Sequence, residues 1–129
     1  MKTKLLLLLT LCYSFTGFSQ IVDIPDANFK SLLINTVCAD FNGNGFPEED
    51  VDTNDDGEIQ VSEAQAVKGL SFDDVSGVSS LVGLSSFNNI ENFRFDGYTS
   101  GYNGLDISPD FSQCLLLEDL FFNNSLTGL

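Results

Sequence analysis

The chain has 129 residues, with 19 acidic residues, 5 basic residues and no histidine, so its formal net charge is −14. The length suits one domain or two small modules. Without histidine, Ser-His-Asp and Cys-His nucleophilic machinery and histidine-based zinc sites are excluded. The acidic balance disfavours nucleic acid or an anionic membrane as a partner, because like charges repel.

The sequence also lacks the usual marks of an enzyme. It contains no Gly-x-Gly-x-x-Gly or P-loop pattern that would cradle nucleotide phosphates. Paired carboxylates can hydrolyse glycosides. Here, however, the carboxylates crowd into one acidic segment instead of flanking an aromatic cleft. We therefore predict that the chain is not an enzyme.

The first nineteen residues have the pattern of a secretory signal peptide. Lys2 and Lys4 form a basic start, an apolar run follows over 5–11, and a small-x-small cleavage site lies at 17–19. The run is too short to span a membrane. Lipid attachment at Cys12 is a less favoured alternative, because a bulky leucine precedes it. We expect a protein that is secreted or attached to the cell surface.

Removal of residues 1–19 would leave three basic residues against nineteen acidic ones, a net charge of −16. It would also leave two cysteines, Cys38 and Cys114, in an oxidising compartment, so that one disulfide is possible. Both cysteines lie among apolar neighbours, where a free cysteine packs as a small hydrophobic residue. We favour free, buried thiols and keep the disulfide as the alternative.

The segment 21–38 has the apolar spacing of an amphipathic helix, with Pro25 in its first turn. Its apolar stripe is expected to be buried in the core and consists of Phe29, Leu32, Leu33, Thr36 and Val37.

The segment 52–63 has the pattern of a twelve-residue EF-hand calcium loop. Gly57, at loop position 6, permits the sharp turn around the ion, and Ile59, at position 8, is the apolar anchor. Glu58 would supply its main-chain carbonyl and Glu63 both carboxylate oxygens. The predicted calcium ligands are Asp52, Asn54, Asp56, Glu58, Gln60 and Glu63. The alternative is an acidic, solvated turn.

Two features of the surrounding sequence modify this prediction. A half-match to a second loop starts at Asp40 and includes Asn42, Asn44 and Gly45, but Val51 stands where the bidentate ligand belongs. It either binds its own ion or simply leads into the complete loop. No helix is predicted to enter at Asp52, whereas 61–67 can form the exiting helix. We therefore expect a structural site rather than a sensor.

From Val67 onwards, apolar residues recur every three positions with single steps of two, a rhythm that neither a helix nor a strand keeps. Three units of the form L-x-x-L-x-L begin at Val67, Ile90 and Leu117, at spacings of 23 and 27 residues. Both spacings are typical of leucine-rich repeats, which contribute one short strand per coil. The alternative is a generic β-rich core.

The chain resembles the secreted, internalin-like leucine-rich-repeat proteins of flavobacteria. The resemblance rests on the Ile-Pro-Asp-Ala-Asn-Phe-Lys segment, the calcium loop and the repeats that contain Leu105-Asp106-Ile107-Ser108. It implies an α/β fold: a leucine-rich-repeat solenoid over 67–129, with about two and a half coils, capped by a helical calcium-binding segment over 20–66. The chain departs from the family pattern in an insertion at 99–104. Since two and a half coils do not seal a solenoid core, we expect an N-terminal part of a longer protein.

Recognition of a protein or a glycan on the inward face of the repeats, with calcium in a structural role, is the predicted function. Ser71, Arg94 and Phe121 should align in one column across neighbouring strands, so Arg94 and Phe121 are candidate partner contacts. Alternatively, Phe121 is covered by further coils. A second candidate function is a dockerin-like, calcium-dependent assembly module of a larger extracellular complex or enzyme.

Overall fold

The computed structural model describes residues 20–97 and 109–124. The predicted signal peptide over 1–19, the insertion at 99–104 and the segment 105–108 lie outside these residues. Within them the chain forms an α/β fold with two α-helices and one small, mixed, four-stranded sheet. No helix in the described ranges is long and apolar enough to cross a membrane.

The described residues form two α-helices and four strands. They are helix α1 (Ala27–Asn35), strand β1 (Ala39–Asp40), helix α2 (Val61–Ala66) and strands β2 (Gly69–Phe72), β3 (Asn92–Gly97) and β4 (Asp119–Asn124). The sheet has the order β1-β2-β3-β4; β1 is antiparallel to β2, and the other two pairs are parallel.

The three parallel strands have the register that the aligned L-x-x-L-x-L units predict. Leu70 pairs with Phe93, which pairs with Leu120, and Arg94 lies between Ser71 and Phe121. The predicted column of Ser71, Arg94 and Phe121 is therefore confirmed. A repeat solenoid is not detected in the described part of the chain, so the structure establishes the coarser prediction, an α/β fold.

The apolar residues that recur every three positions between β2 and β3 form one wall of the core. All of them are buried: Val75, Val78, Leu81, Leu84, Phe87 and Ile90. Aromatic rings join α1 to the sheet and neighbouring strands to each other, with ring centroids 6.1 Å apart between Phe29 and Phe72 and 6.2 Å apart between Phe72 and Phe93. Edge-to-face pairs of this kind stabilise a core beyond the area that they bury.

Helix α1 is shorter than the predicted helix over 21–38. Pro25 precedes the N-cap residue instead of lying in the first turn, and the helix ends before Thr36, whose backbone is extended. The Thr36 hydroxyl donates to the carbonyl of Leu32 at 2.6 Å. Because the chain leaves the helix here to carry residues 38–40 to the sheet, Val37 is 62% exposed. The prediction that Val37 belongs to the buried stripe was wrong.

The two cysteines are free and buried, as predicted. The thiol of Cys38 lies 3.6 Å from the carbonyl oxygen of Leu32, and that of Cys114 lies 3.5 Å from the carbonyl oxygen of Phe87. Burial raises the pKa of Cys38 to about 12 and also raises the pKa of Cys114. Both thiols therefore remain protonated and act as core side chains.

Asp26 joins α1 to a distant turn. One carboxylate oxygen accepts the main-chain N–H of Phe29 at 2.8 Å and caps the helix. The other accepts the N–H of Ser79 at 2.7 Å, the Ser79 hydroxyl at 2.5 Å and the N–H of Ser80 at 3.0 Å. Burial opposes the charged form, but the hydrogen bonds led by the Ser79 hydroxyl outweigh it and lower the pKa of Asp26.

Replacement of Asp26 by alanine should therefore be costly. Loss of the cap costs about 1 kcal/mol, and two main-chain N–H groups in the 79–80 turn lose their acceptor as well. We expect Asp26→Ala to lower the free energy of unfolding by about 2–3 kcal/mol in urea titrations. Asp23→Ala, at an exposed acidic residue three positions earlier, is the matched control and should change it little. Equal effects of the two substitutions would contradict the proposed role of Asp26.

The charge of Asp26 should also make stability depend on pH. Since its folded pKa lies below its unfolded value, ionised Asp26 stabilises the fold above about pH 4, and this contribution is lost as the pH falls through the folded pKa. The stability difference between the wild type and Asp26→Asn should thus be largest at neutral pH and shrink on acidification. Urea titrations of both proteins at several pH values measure it, and a difference that grows towards low pH would refute this assignment.

Candidate metal centre

The segment 52–58 winds into a tight turn around the carboxylate of Asp52. Its two oxygens accept the main-chain N–H groups of Asp56 at 3.1 Å and of Gly57 at 2.7 Å. Asp55 and Gly57 have positive φ values of 57° and 81°. The predicted sharp turn at Gly57 is thus confirmed, and it directs main-chain N–H groups towards the first loop residue.

Both ends of the loop are attached to the N-terminal segment and to α1. At the entry, the N–H of Val51 donates to the carbonyl of Leu33 at 2.8 Å. At the exit, the carbonyl of the fully buried Ile59 accepts the N–H of Val22 at 2.8 Å, and the N–H of Val61 donates to the main-chain carbonyl of Gln20 at 2.7 Å. Helix α2 begins at Val61, so the predicted anchor and exiting helix are confirmed, and no helix leads into Asp52.

Three of the predicted ligands, Asn54, Asp56 and Gln60, lie together on one side of the loop. The Asn54 side-chain amide donates to the side-chain oxygen of Gln60 at 2.8 Å, and the Gln60 side-chain amide donates to the carboxylate of Asp56 at 2.9 Å. The main-chain N–H of Glu58 and these neighbouring amides lower the pKa of Asp56. The group is rich in oxygen atoms and has its charge concentrated on one carboxylate.

Glu63 points back into the loop from the first turn of α2. One carboxylate oxygen accepts the hydroxyl of Thr53 at 2.8 Å, and the other accepts the N–H of Gln60 at 3.0 Å. Glu63 is 7% exposed, and Asp52 is 5% exposed. The two predicted ligands that stand first and last in the loop are therefore both buried carboxylates.

The sixth predicted ligand, Glu58, differs from the others because its side chain points away from them. Its carboxylate forms a salt bridge with Lys30 of α1, with 2.7 Å between the charged atoms. This agrees with the expectation that only the main-chain carbonyl of Glu58 would serve a metal. The salt bridge adds a further link between the loop and α1.

In this arrangement, protein hydrogen bonds hold the carboxylate oxygens, and no three acidic, cysteine or histidine side chains of the described residues are grouped closely enough to hold one ion. Convergence of Asp52, Asp56 and Glu63 would require the hydrogen bonds from Thr53 and Gln60 to be exchanged for metal contacts. The donor set itself fits calcium, because it contains only carboxylate, amide and carbonyl oxygens.

The half-loop that begins at Asp40 forms a similar turn. The carboxylate of Asp40 accepts the N–H groups of Gly43 at 2.7 Å and Gly45 at 2.6 Å, and both glycines have positive φ values. The turn then ends differently, because Glu48 and Glu49 pair with residues 38–39 instead of entering a helix. Val51 is fully buried at the position of the missing bidentate ligand.

Carboxylates in the acidic segment repel one another. Burial, followed by repulsion from Asp55, Asp52 and Glu49, raises the pKa of Asp50. Among the described residues, the salt bridges join Lys30 to Glu58 and Arg94 to two aspartates, so neither Asp52 nor Glu63 has a basic partner. The crowding of carboxylates expected from the sequence is therefore present in the fold.

The predicted partner contacts, Arg94 and Phe121, touch each other. The guanidinium of Arg94 lies 4.8 Å from the centre of the Phe121 ring and donates to Asp96 at 2.9 Å. Both side chains are on the solvent-facing side of the sheet, because the alternate residues Phe93 and Phe95 are buried in the core. The structure thus brings these two residues together, as their shared column predicts.

Sequence reasoning missed two residues that shape this region. Asp26 carries an N-cap signal, an aspartate just before a helix, but the prediction placed the helix start too early. Thr53 lies between two predicted ligands and has no distinctive pattern of its own, so its hydrogen bond to Glu63 could be found only in the fold.

Comparison of the chain with protein-family models, curated proteins and solved structures gives no match.

Proposed function

We propose that this protein is a secreted or cell-surface calcium-binding protein that recognises a protein or a glycan and is not an enzyme. Residues 20–66 act as a calcium-stabilised cap on strands that follow the leucine-rich-repeat pattern. Calcium binds at the loop 52–63 through the six predicted ligands and has a structural role. Recognition takes place on the solvent-facing side of the sheet, near Arg94 and Phe121.

The observation that carries this proposal is the burial of Asp52 and Glu63, neither of which has a basic partner in the described part of the chain. A buried carboxylate is costly unless it is paired, hydrogen-bonded or bound to a metal. Each of these two has hydrogen bonds, but both lie in a segment with nine acidic residues in 24 positions. A divalent cation between them would replace mutual repulsion by attraction.

We expect the site to be weak, with a Kd of about 10⁻⁴ to 10⁻³ M, the range of extracellular calcium modules. At a calcium concentration ten times the Kd, binding adds about 1.4 kcal/mol to the free energy of unfolding. For a domain of this size, that corresponds to a rise in Tm of about 5–10 °C.

Thermal melts of residues 20–129 in calcium, in magnesium and in chelator test the proposal. We expect a calcium-specific rise in Tm that Asp52→Asn and Glu63→Gln abolish, because each variant removes one buried charged ligand while preserving its shape. Asp55→Asn is the matched control. It removes a charge from the same loop at an exposed position that is not a ligand, and asparagine tolerates the positive φ there. Identical melts in all three solutions would refute the calcium claim.

A second candidate is the dockerin-like assembly module, which requires two calcium loops in tandem. The observation that favours it is the similarity between the turns that begin at Asp40 and Asp52, twelve residues apart. Isothermal titration calorimetry distinguishes the candidates. One calcium ion per chain is expected for the cap, because Val51 offers no side-chain oxygen. Two ions, one of them lost in Asp40→Asn, would favour the assembly module instead.

A further inference from the structure

A groove of about 480 Å³ runs between the turn at 43–45 and the solvent-facing side of strands β2, β3 and β4. Its volume is within the range of ligand-binding clefts in proteins. The groove lies away from the calcium loop: residues 52–63 do not line it. Its floor comes from three parallel strands, whose aligned side chains present equivalent positions next to one another.

Three carboxylates line the groove, those of Glu91, Glu118 and Asp119. The main-chain N–H groups of Glu118 and Asp119 both donate to the carbonyl of Glu91, at 2.8 Å and 3.1 Å, which brings the three acidic residues to one end of the sheet. In the described residues none of the three forms a salt bridge. The ammonium of Lys68 and the carboxylate of Glu91 both lie next to Gly43, so the uncompensated charge is centred on Glu118 and Asp119. Like charges on adjacent strands repel, so this end of the groove attracts a cation.

The groove also contains an aromatic ring that already binds a cation. Phe121 is 44% exposed, and the guanidinium of Arg94 lies over its ring at 4.8 Å. Arg94 is also tied to Asp96 and lies 3.9 Å from Asp73. Its charge is therefore compensated within the chain, and the groove as a whole stays negative. An exposed ring beside carboxylates provides a surface for a further cationic group.

We propose that this groove binds an extended protein segment rich in arginine or lysine. The proposal rests on the recognition function given above and specifies its partner. Charge complementarity selects this partner over a glycan, because a neutral sugar would leave the carboxylates of Glu118 and Asp119 without a positive partner. A basic side chain on the segment pairs with Glu118 and Asp119, and its neighbours pack against Phe121. The turn at 43–45 forms the outer wall, where Gly43 and Gly45 have no side chain to obstruct the entrance.

The test uses residues 20–129 in saturating calcium and a capped heptapeptide of alternating alanine and arginine. A heptapeptide with glutamine in place of arginine and the neutral sugar cellohexaose serve as comparison probes. We expect fluorescence anisotropy to show binding of the arginine peptide, and we expect this binding to weaken as the salt concentration is raised. The glutamine peptide and the sugar should not bind.

Two variants locate the binding. The double substitution Glu118→Gln and Asp119→Asn should weaken binding of the arginine peptide roughly five-fold, since it removes two charges from the groove rim. Asp23→Asn combined with Asp74→Asn removes the same charge from exposed residues outside the groove and should leave binding unchanged. Phe121→Ala should also weaken binding roughly five-fold without a change in charge. If Phe121→Ala fails to fold, the two charge variants still decide the question.

Three results would overturn the proposal: no binding of the arginine peptide, equal binding of the glutamine peptide, or equal losses in the two charge variants. Binding of cellohexaose that depends on Phe121, without binding of the arginine peptide, would support recognition but reject a basic partner. The calcium claim stands or falls separately on the thermal melts. A calcium-dependent Tm without peptide binding would therefore reject the groove proposal alone.

Discussion

Main-chain N–H groups that converge on buried carboxylates organise the N-terminal half of this protein. Asp26, Asp40 and Asp52 each accept at least two such bonds, and each lies where the chain must turn or a helix must begin. Each carboxylate is stabilised by these donors instead of by a basic residue. This solution suits a chain in which the segment 20–129 has only three basic residues. It also makes the local backbone path dependent on single acidic side chains.

The candidate calcium loop over 52–63 is held in the fold by the N-terminal segment and by α1, and not by a second loop of the same kind. The extended segment before Asp26 pairs with the exit of the loop, and the end of α1 holds its entry. The half-loop is linked in turn to the sheet, because the carbonyl of Asp40 accepts the N–H of Lys68 just before β2. Displacement of the loop would therefore disturb α1, and through Phe29 and Phe72 the core. A weakly bound structural ion in such a position would stabilise the whole N-terminal region.

The sequence was most informative where a repeating pattern constrained many residues together. The aligned L-x-x-L-x-L units correctly predicted the register of the parallel strands, because a shift by one residue would turn every apolar strand side chain to the other face. The apolar residues that follow the three-residue rhythm from Val67 to Phe95 are buried, whereas Leu120 in the third unit is 51% exposed. Single positions were harder to predict. The helix boundary near Thr36 and the exposure of Val37 depend on where the chain must leave for the sheet. The contact of Asp26 with Ser79 joins residues 53 positions apart, which no local pattern records.

The same distinction applies to the candidate calcium loop and to the groove. The calcium site at 52–63 could be proposed from the sequence because all six candidate ligands lie within twelve consecutive residues, so that their spacing alone suggests the chemistry. The groove could not, because Gly43, Glu91 and Glu118 come from three separate parts of the chain and meet only through the strand register. Acidic residues in the interior find main-chain donors, whereas in the described part of the chain Glu118 and Asp119 on the groove rim form no salt bridge. An excess of negative charge that the fold leaves uncompensated at one concave surface is a physical reason for a basic partner to bind there.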